Sequence, residues 1–220
     1  MAITVKICGL TRSEDALATA RAGADFAGLV FHAASPRCLS PEKARAIAEH
    51  VRGRVRVVGL FVDPNDDELD VAVAAARPDF IQLHGNEPPA RVAEIRSRLN
   101  IPIIKAIGIA DAGDFDVLPG YEAVADVLLF DSKSAGRTQA GGRGRAFDWT
   151  LLRKRTIHKP WLLAGGLNVQ NVSRAIAAAA APGVDVSSGV ERSPGVKDPE
   201  AVSTFVQAAR AAEFVAEQPA

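Results

Sequence analysis

The chain is short of cysteine, of any charge imbalance and of long apolar runs, and each shortage excludes a class of protein. Two cysteines in 220 residues, Cys8 and Cys38, are too few for a disulfide framework and are not spaced as metal ligands. The 26 Lys and Arg residues are balanced by 26 Asp and Glu, so nothing draws the chain generally to nucleic acid or an anionic membrane, and any anion site must be local. No membrane-length run is free of charge. The opening MAITVKICGLTR has neither a basic stretch followed by an apolar leader nor an acylation signal. The expectation is a cytoplasmic protein. What remains, 48% hydrophobic and 24% charged residues, is the composition of an ordinary globular chain with enough length for one sizeable core.

Strand and helix signals alternate along the whole chain. Apolar runs at Ile3 to Cys8, Asp25 to Phe31, Val55 to Val62, Phe80 to His84, Ile101 to Ile107, Ala125 to Asp131, Leu162 to Ala164 and Val184 to Val186 read as strands. Helix starts follow them: Thr11-Arg12-Ser13-Glu14 has the form of a capping box, Ser40-Pro41 is a cap followed by proline, and Asn65, Pro88, Asp111, Asp148, Asn168 and Asp198-Pro199 open the others. The last helix is expected to run to about Phe214, ahead of a frayed tail. Eight alternations without a composition break predict an α/β fold of one domain over residues 1–220, a single closed (β/α)8 TIM barrel.

Alternation within strands then assigns faces. Lys6 and Cys8, Gln82 and His84, and Asp131 are expected to point into the barrel, with Cys8, His84 and Asp131 at the C-terminal rim where barrel enzymes keep their active sites. Lys6 is expected to pair with Asp185 on the adjoining last strand; a Schiff-base lysine, Lys6 or Lys105, is the sharper alternative. From Trp161 to Asp198 two strands each run into glycine and small polar residues, Gly165 and Gly166 after one, Ser187, Ser188 and Gly189 after the other. Such loops bring backbone N–H groups close to an anion, predicting a phosphate site at strands 7 and 8.

Cys8, at a strand end before a helix start, is either a thiolate base favoured by the helix's positive end or a small buried hydrophobe. Asp131 is a candidate general acid across the barrel, or else a loop-capping carboxylate. Arg37 offers a planar fork for a carboxylate, and His84 lines the mouth. Cys38 and the basic run Arg153 to Lys159 carry no chemistry in this reading.

These motifs resemble phosphoribosylanthranilate isomerases of tryptophan biosynthesis. The carriers are KICGLT at 6–11, GLVFHAASPR at 28–37, VGLFVD at 58–63, IQLHG at 81–85, FDSK at 130–133, GGRGRAFDW at 141–149, LAGGLN at 163–168, and DVSSGVE with PGVKD within 185–198. The resemblance implies a cofactor-free, metal-free Amadori rearrangement of N-(5′-phosphoribosyl)anthranilate to 1-(2-carboxyphenylamino)-1-deoxyribulose 5-phosphate by a monomer or homodimer. It makes Asp131 the acid on the ribose ring oxygen, Cys8 the base at the sugar C2 and Arg37 the holder of the anthranilate carboxylate. Gly166, Ser188 and Gly189 would hold the phosphate, and Gly141 with Gly142 would close the mouth. Ser132, Arg143, Val169 and Cys38 depart from the family pattern. The competing expectations are another sugar-phosphate barrel isomerase or epimerase and a non-catalytic barrel that binds a phosphorylated ligand. A metal-dependent epimerase would want a richer His and Asp cluster than His32 and His84 supply.

Overall fold

A computed structural model describes residues 2–133 and 147–212. Eight strands close a barrel in sequence order: β1 (Thr4–Ile7), β2 (Phe26–Val30), β3 (Arg56–Phe61), β4 (Phe80–Leu83), β5 (Ile103–Ile109), β6 (Val127–Ser132), β7 (Trp161–Leu163) and β8 (Gly183–Val186). All eight pair in parallel, and β8 returns to β1 with Lys6 opposite Asp185, so no strand edge is left open. The helices between them are α1 (Ser13–Arg21), α2 (Pro41–Val51), α3 (Asp66–Ala76), α4 (Pro89–Leu99), α5 (Leu118–Glu122), α6 (Thr150–Arg153), α7 (Val172–Ala179) and α8 (Pro199–Ala211).

The period-two alternation holds. Ile3, Val5 and Ile7 pack outward with Ala27, Leu29, Val57 and the helices, while Phe26, Val58, Ile104, Ala106, Leu129 and Leu162 fill the barrel. At the floor the Arg56 guanidinium lies 4.0 Å from the centre of the Phe26 ring, which meets Phe80 edge-on, so these side chains cover the bottom of the barrel. Gly28 of β2 faces inward beside Cys8; a Cβ there would sit 2.9 Å from the Cys8 sulfur.

Helix starts divide into those that local chemistry alone decides and those it does not. Ser40 caps α2, and Asn65 with Glu68 forms a reciprocal capping box on α3. Thr11 does not cap α1: its hydroxyl donates to the Gly195 carbonyl, and the helix starts at Ser13 with no side-chain cap. Asn168 stops short of a helix start as well. It accepts from the N–H groups of Gln170 and Asn171 in a turn, and α7 begins at Val172. After Asp111 the chain forms a 3₁₀ segment, Ala112–Val117, before the short α5. Between β8 and α8 lies an element outside the eight alternations: a 3₁₀ turn, Ser188–Val190, followed by a hairpin of β9 (Glu191–Ser193) and β10 (Val196–Lys197). The expected end of the last helix near Phe214 lies outside the described residues; α8 is followed to Ala211.

Candidate active site

The C-terminal ends of the strands frame an open cleft lined by Cys8, Val30, His32, Arg37, Leu60, His84, Asp131, Gly165, Gly166, Asp185, Ser187 and Ser188, among others. Cys8, Arg37, His84, Asp131, Gly165, Gly166 and Ser188, all picked from the sequence, therefore share one mouth. Gly189 does not line it. It is a point where the two cradle loops touch, and a Cβ there would fall 1.9 Å from the Leu167 carbonyl oxygen. Gly142 lies outside the described residues.

Asp131, one residue before the end of β6, has both carboxylate oxygens engaged. Oδ1 accepts from the Ser132 N–H at 2.7 Å, and Oδ2 lies 3.2 Å from Nε2 of His84. His84 is thus more than a lining residue: it meets the candidate acid directly. Gly165, at φ +86°, lets the β7 loop press against this pair, since a Cβ would come 2.7 Å from the Ser132 nitrogen. Gly166 follows at φ +68°, and its carbonyl accepts from the Asn171 side chain at 2.9 Å, which ties the cradle loop to the start of α7.

Cys8 is buried, beside Val30 and Leu60. Of the two readings of Cys8, the structure gives no helix start close enough to favour a thiolate at rest. The first residue of α1 is Ser13, well beyond the thiol, and burial pushes the Cys8 pKa up, with the charge of Asp185 adding to it. Lys6 and Lys197 pull the other way without reversing the shift, so the resting group is a neutral thiol. Lys6 is fully buried below Cys8 and its Nζ lies 2.9 Å from Asp185, the pairing expected from the sequence. Burial alone would lower the Lys6 pKa, but Asp185 and Cys8 outweigh it, and Lys6 is held as an ammonium. Lys105 is not a Schiff-base candidate either. It faces the helix layer, where Nζ meets Glu87 at 2.6 Å and the carbonyls of Leu83 and Gly85.

Arg37 reaches the mouth from the β2 loop, across Gly9, where a Cβ would fall 2.3 Å from the arginine Cδ. Its fork is not open. Nε and Nη2 bind both oxygens of Glu191 at 2.8 and 2.6 Å, which leaves Nη1 outside that pair. Lys197, wholly buried, joins the same carboxylate at 2.7 Å and donates to the Ser187 carbonyl at 3.0 Å. Burial raises the Glu191 pKa, yet Arg37 and Lys197 more than offset it and hold the carboxyl below the usual range. Sequence reasoning did not single out Glu191 and Lys197, because only the hairpin turns them back under the cradle. A glutamate and a lysine six residues apart around Pro-Gly were the available signal. The three side chains carry one net positive charge beside the loop of Ser187 and Ser188.

A closed parallel barrel with a thiol, a carboxyl and a glycine-lined cradle at its C-terminal mouth defines a (β/α)8-barrel enzyme acting on an anionic small molecule. The family described as N-(5′-phosphoribosyl)anthranilate (PRA) isomerase matches residues 5–208. A relative in Paracoccus denitrificans named N-(5′-phosphoribosyl)anthranilate isomerase is 51% identical over 96% of this chain and 99% of its own length. One of the same name in Rhodopseudomonas palustris strain BisA53 is 50% identical over 97% and 98%. The crystal structure of phosphoribosyl anthranilate isomerase from Thermotoga maritima superposes with a TM-score of 0.84 at 38% identity, covering 94% of this chain and 98% of that one. A crystal structure of such an enzyme with reduced 1-(o-carboxyphenylamino)-1-deoxyribulose 5-phosphate superposes with a TM-score of 0.80 at 37% identity over the same shares. The chain belongs to the N-(5′-phosphoribosyl)anthranilate isomerase family of tryptophan biosynthesis.

Proposed function

We propose that the Amadori rearrangement of N-(5′-phosphoribosyl)anthranilate runs at this mouth with Asp131 as acid and Cys8 as base. Asp131 gives its proton to the ribose ring oxygen as the C1–O bond breaks and the substrate nitrogen supplies the electron pair of a C1–N double bond. Cys8, as thiolate, takes the proton from C2, and the C–H electrons form an enolamine that tautomerises to the ketone. Lys6 and Lys197 favour the thiolate form of Cys8 by attracting its charge.

The observation that carries the reading is that Cys8 and Asp131, far apart in the sequence, line one cleft with the cradle of Gly166 and Ser188 beside them. In this reading the cradle takes the phosphate, and Arg37, with Nη1 outside its pair with Glu191, takes the anthranilate carboxylate. Residues 1–220 act as one cytoplasmic domain on a phosphorylated small molecule, as a monomer or homodimer, without nucleic acid, membrane, cofactor or metal. Among the described residues no helix is long and apolar enough to cross a membrane.

The test is the fluorescence decay of freshly generated phosphoribosylanthranilate with wild type, Cys8→Ala and Asp131→Asn, in the presence of chelator. Wild type is expected to turn over, with each variant slower by about 100-fold or more, the usual loss of a general acid or base. A variant close to wild type removes that residue from the mechanism.

A further inference from the structure

The hydrogen bonds of β4 reach the candidate acid through a residue so far unused, Gln82. It is fully buried, two positions before His84 on the same inward face. Its amide Nε2 lies 2.8 Å from Nδ1 of His84, while its Oε1, also buried, has no partner among the described residues. With the amide nitrogen turned to the ring, Nδ1 of His84 accepts and the imidazole proton is placed on Nε2. That nitrogen is the one 3.2 Å from Oδ2 of Asp131.

We infer that Gln82 is a positioning residue: by fixing His84 as the Nε2–H tautomer, it keeps a donor on Asp131 Oδ2, stabilising the carboxylate left when the acid gives up its proton. The inference rests on the reading of Asp131 as the acid. Packing does not account for the amide. A methionine would fill the same volume without an unpaired buried oxygen, so the amide costs stability, and among the described residues its one hydrogen bond is to His84. The opposite oxygen of Asp131 is already served by the Ser132 N–H. With both donors present the carboxyl has a fixed orientation and its conjugate base is hydrogen-bonded at each oxygen.

The test joins histidine ¹⁵N NMR of the wild type with steady-state kinetics of Gln82→Met and Asp131→Asn. His84 is expected to show an unprotonated Nδ1 and a protonated Nε2 in the neutral imidazole. Gln82→Met is expected to lose that bias, to melt at or above the wild-type temperature, and to lose about tenfold or more in kcat with KM within twofold. A wild-type His84 protonated on Nδ1 overturns the inference, as does Gln82→Met with wild-type kcat. Either result with Asp131→Asn inactive removes Gln82 alone, whereas an active Asp131→Asn removes the acid assignment.

Discussion

Glu191 sits between Arg37 and Lys197, and its charge keeps both cations in place beneath the cradle. Glu191→Gln leaves the buried Lys197 and the half-buried Arg37 without their counter-charge, a change that costs about 3 kcal/mol in comparable buried pairs. Because the folded pKa of Glu191 is depressed, this stabilisation is complete above the unfolded glutamate pKa of about 4.3 and is lost as pH falls through the lower native value. Urea denaturation of wild type and variant across pH should therefore show a constant gap near neutrality that narrows below about pH 4. A gap independent of pH would mean the carboxylate's charge is not what matters. The raised Cys8 pKa gives a second expectation. In a Cys38→Ser background, the alkylation rate of Cys8 should still be climbing above the ordinary thiol pKa of about 8.5. A plateau below that pH would show the thiolate at rest.

At the scale of elements, helix starts were legible where the cap is local and illegible where a distant group competes. Asn65 and Glu68 need only each other, so Asn65→Ala should cost about 1 kcal/mol in urea denaturation with activity unchanged. Thr11 looked equally good as a cap, but the Gly195 carbonyl, brought alongside by the β9–β10 hairpin, takes its hydroxyl. The cradle shows the same division. Its glycines were visible as breaks after strands, but their reasons differ: Gly165 permits contact with Ser132 and Asp131, and Gly189 permits the two loops to touch. Inorganic phosphate is expected to raise the melting temperature through linkage, and Gly189→Ala should force those loops apart and abolish that rise. A phosphate shift that survives the substitution would place the anion elsewhere.

For the whole molecule, the joint between first and last strands is the decisive closure, and Lys6 and Asp185 meet across it. Asp185→Leu should destabilise by about 3–5 kcal/mol, since it leaves a buried ammonium unpaired, and Lys6→Met added to it should recover most of that loss. Thermal or urea unfolding of the two variants checks this; a double variant as unstable as the single would mean packing, not charge, is at stake. The sequence by itself determined the eight alternations, the inward faces of Lys6, Cys8, Gln82, His84 and Asp131, and the family motifs, because periodicity and turn chemistry act over a few residues. Only the tertiary structure decided the ionisation of Cys8, the closing of Arg37's fork by Glu191, the outward place of Lys105 and the contact of His84 with Asp131. Those depend on burial and on charges brought together from distant strands, and neither burial nor a through-space field can be read along a chain.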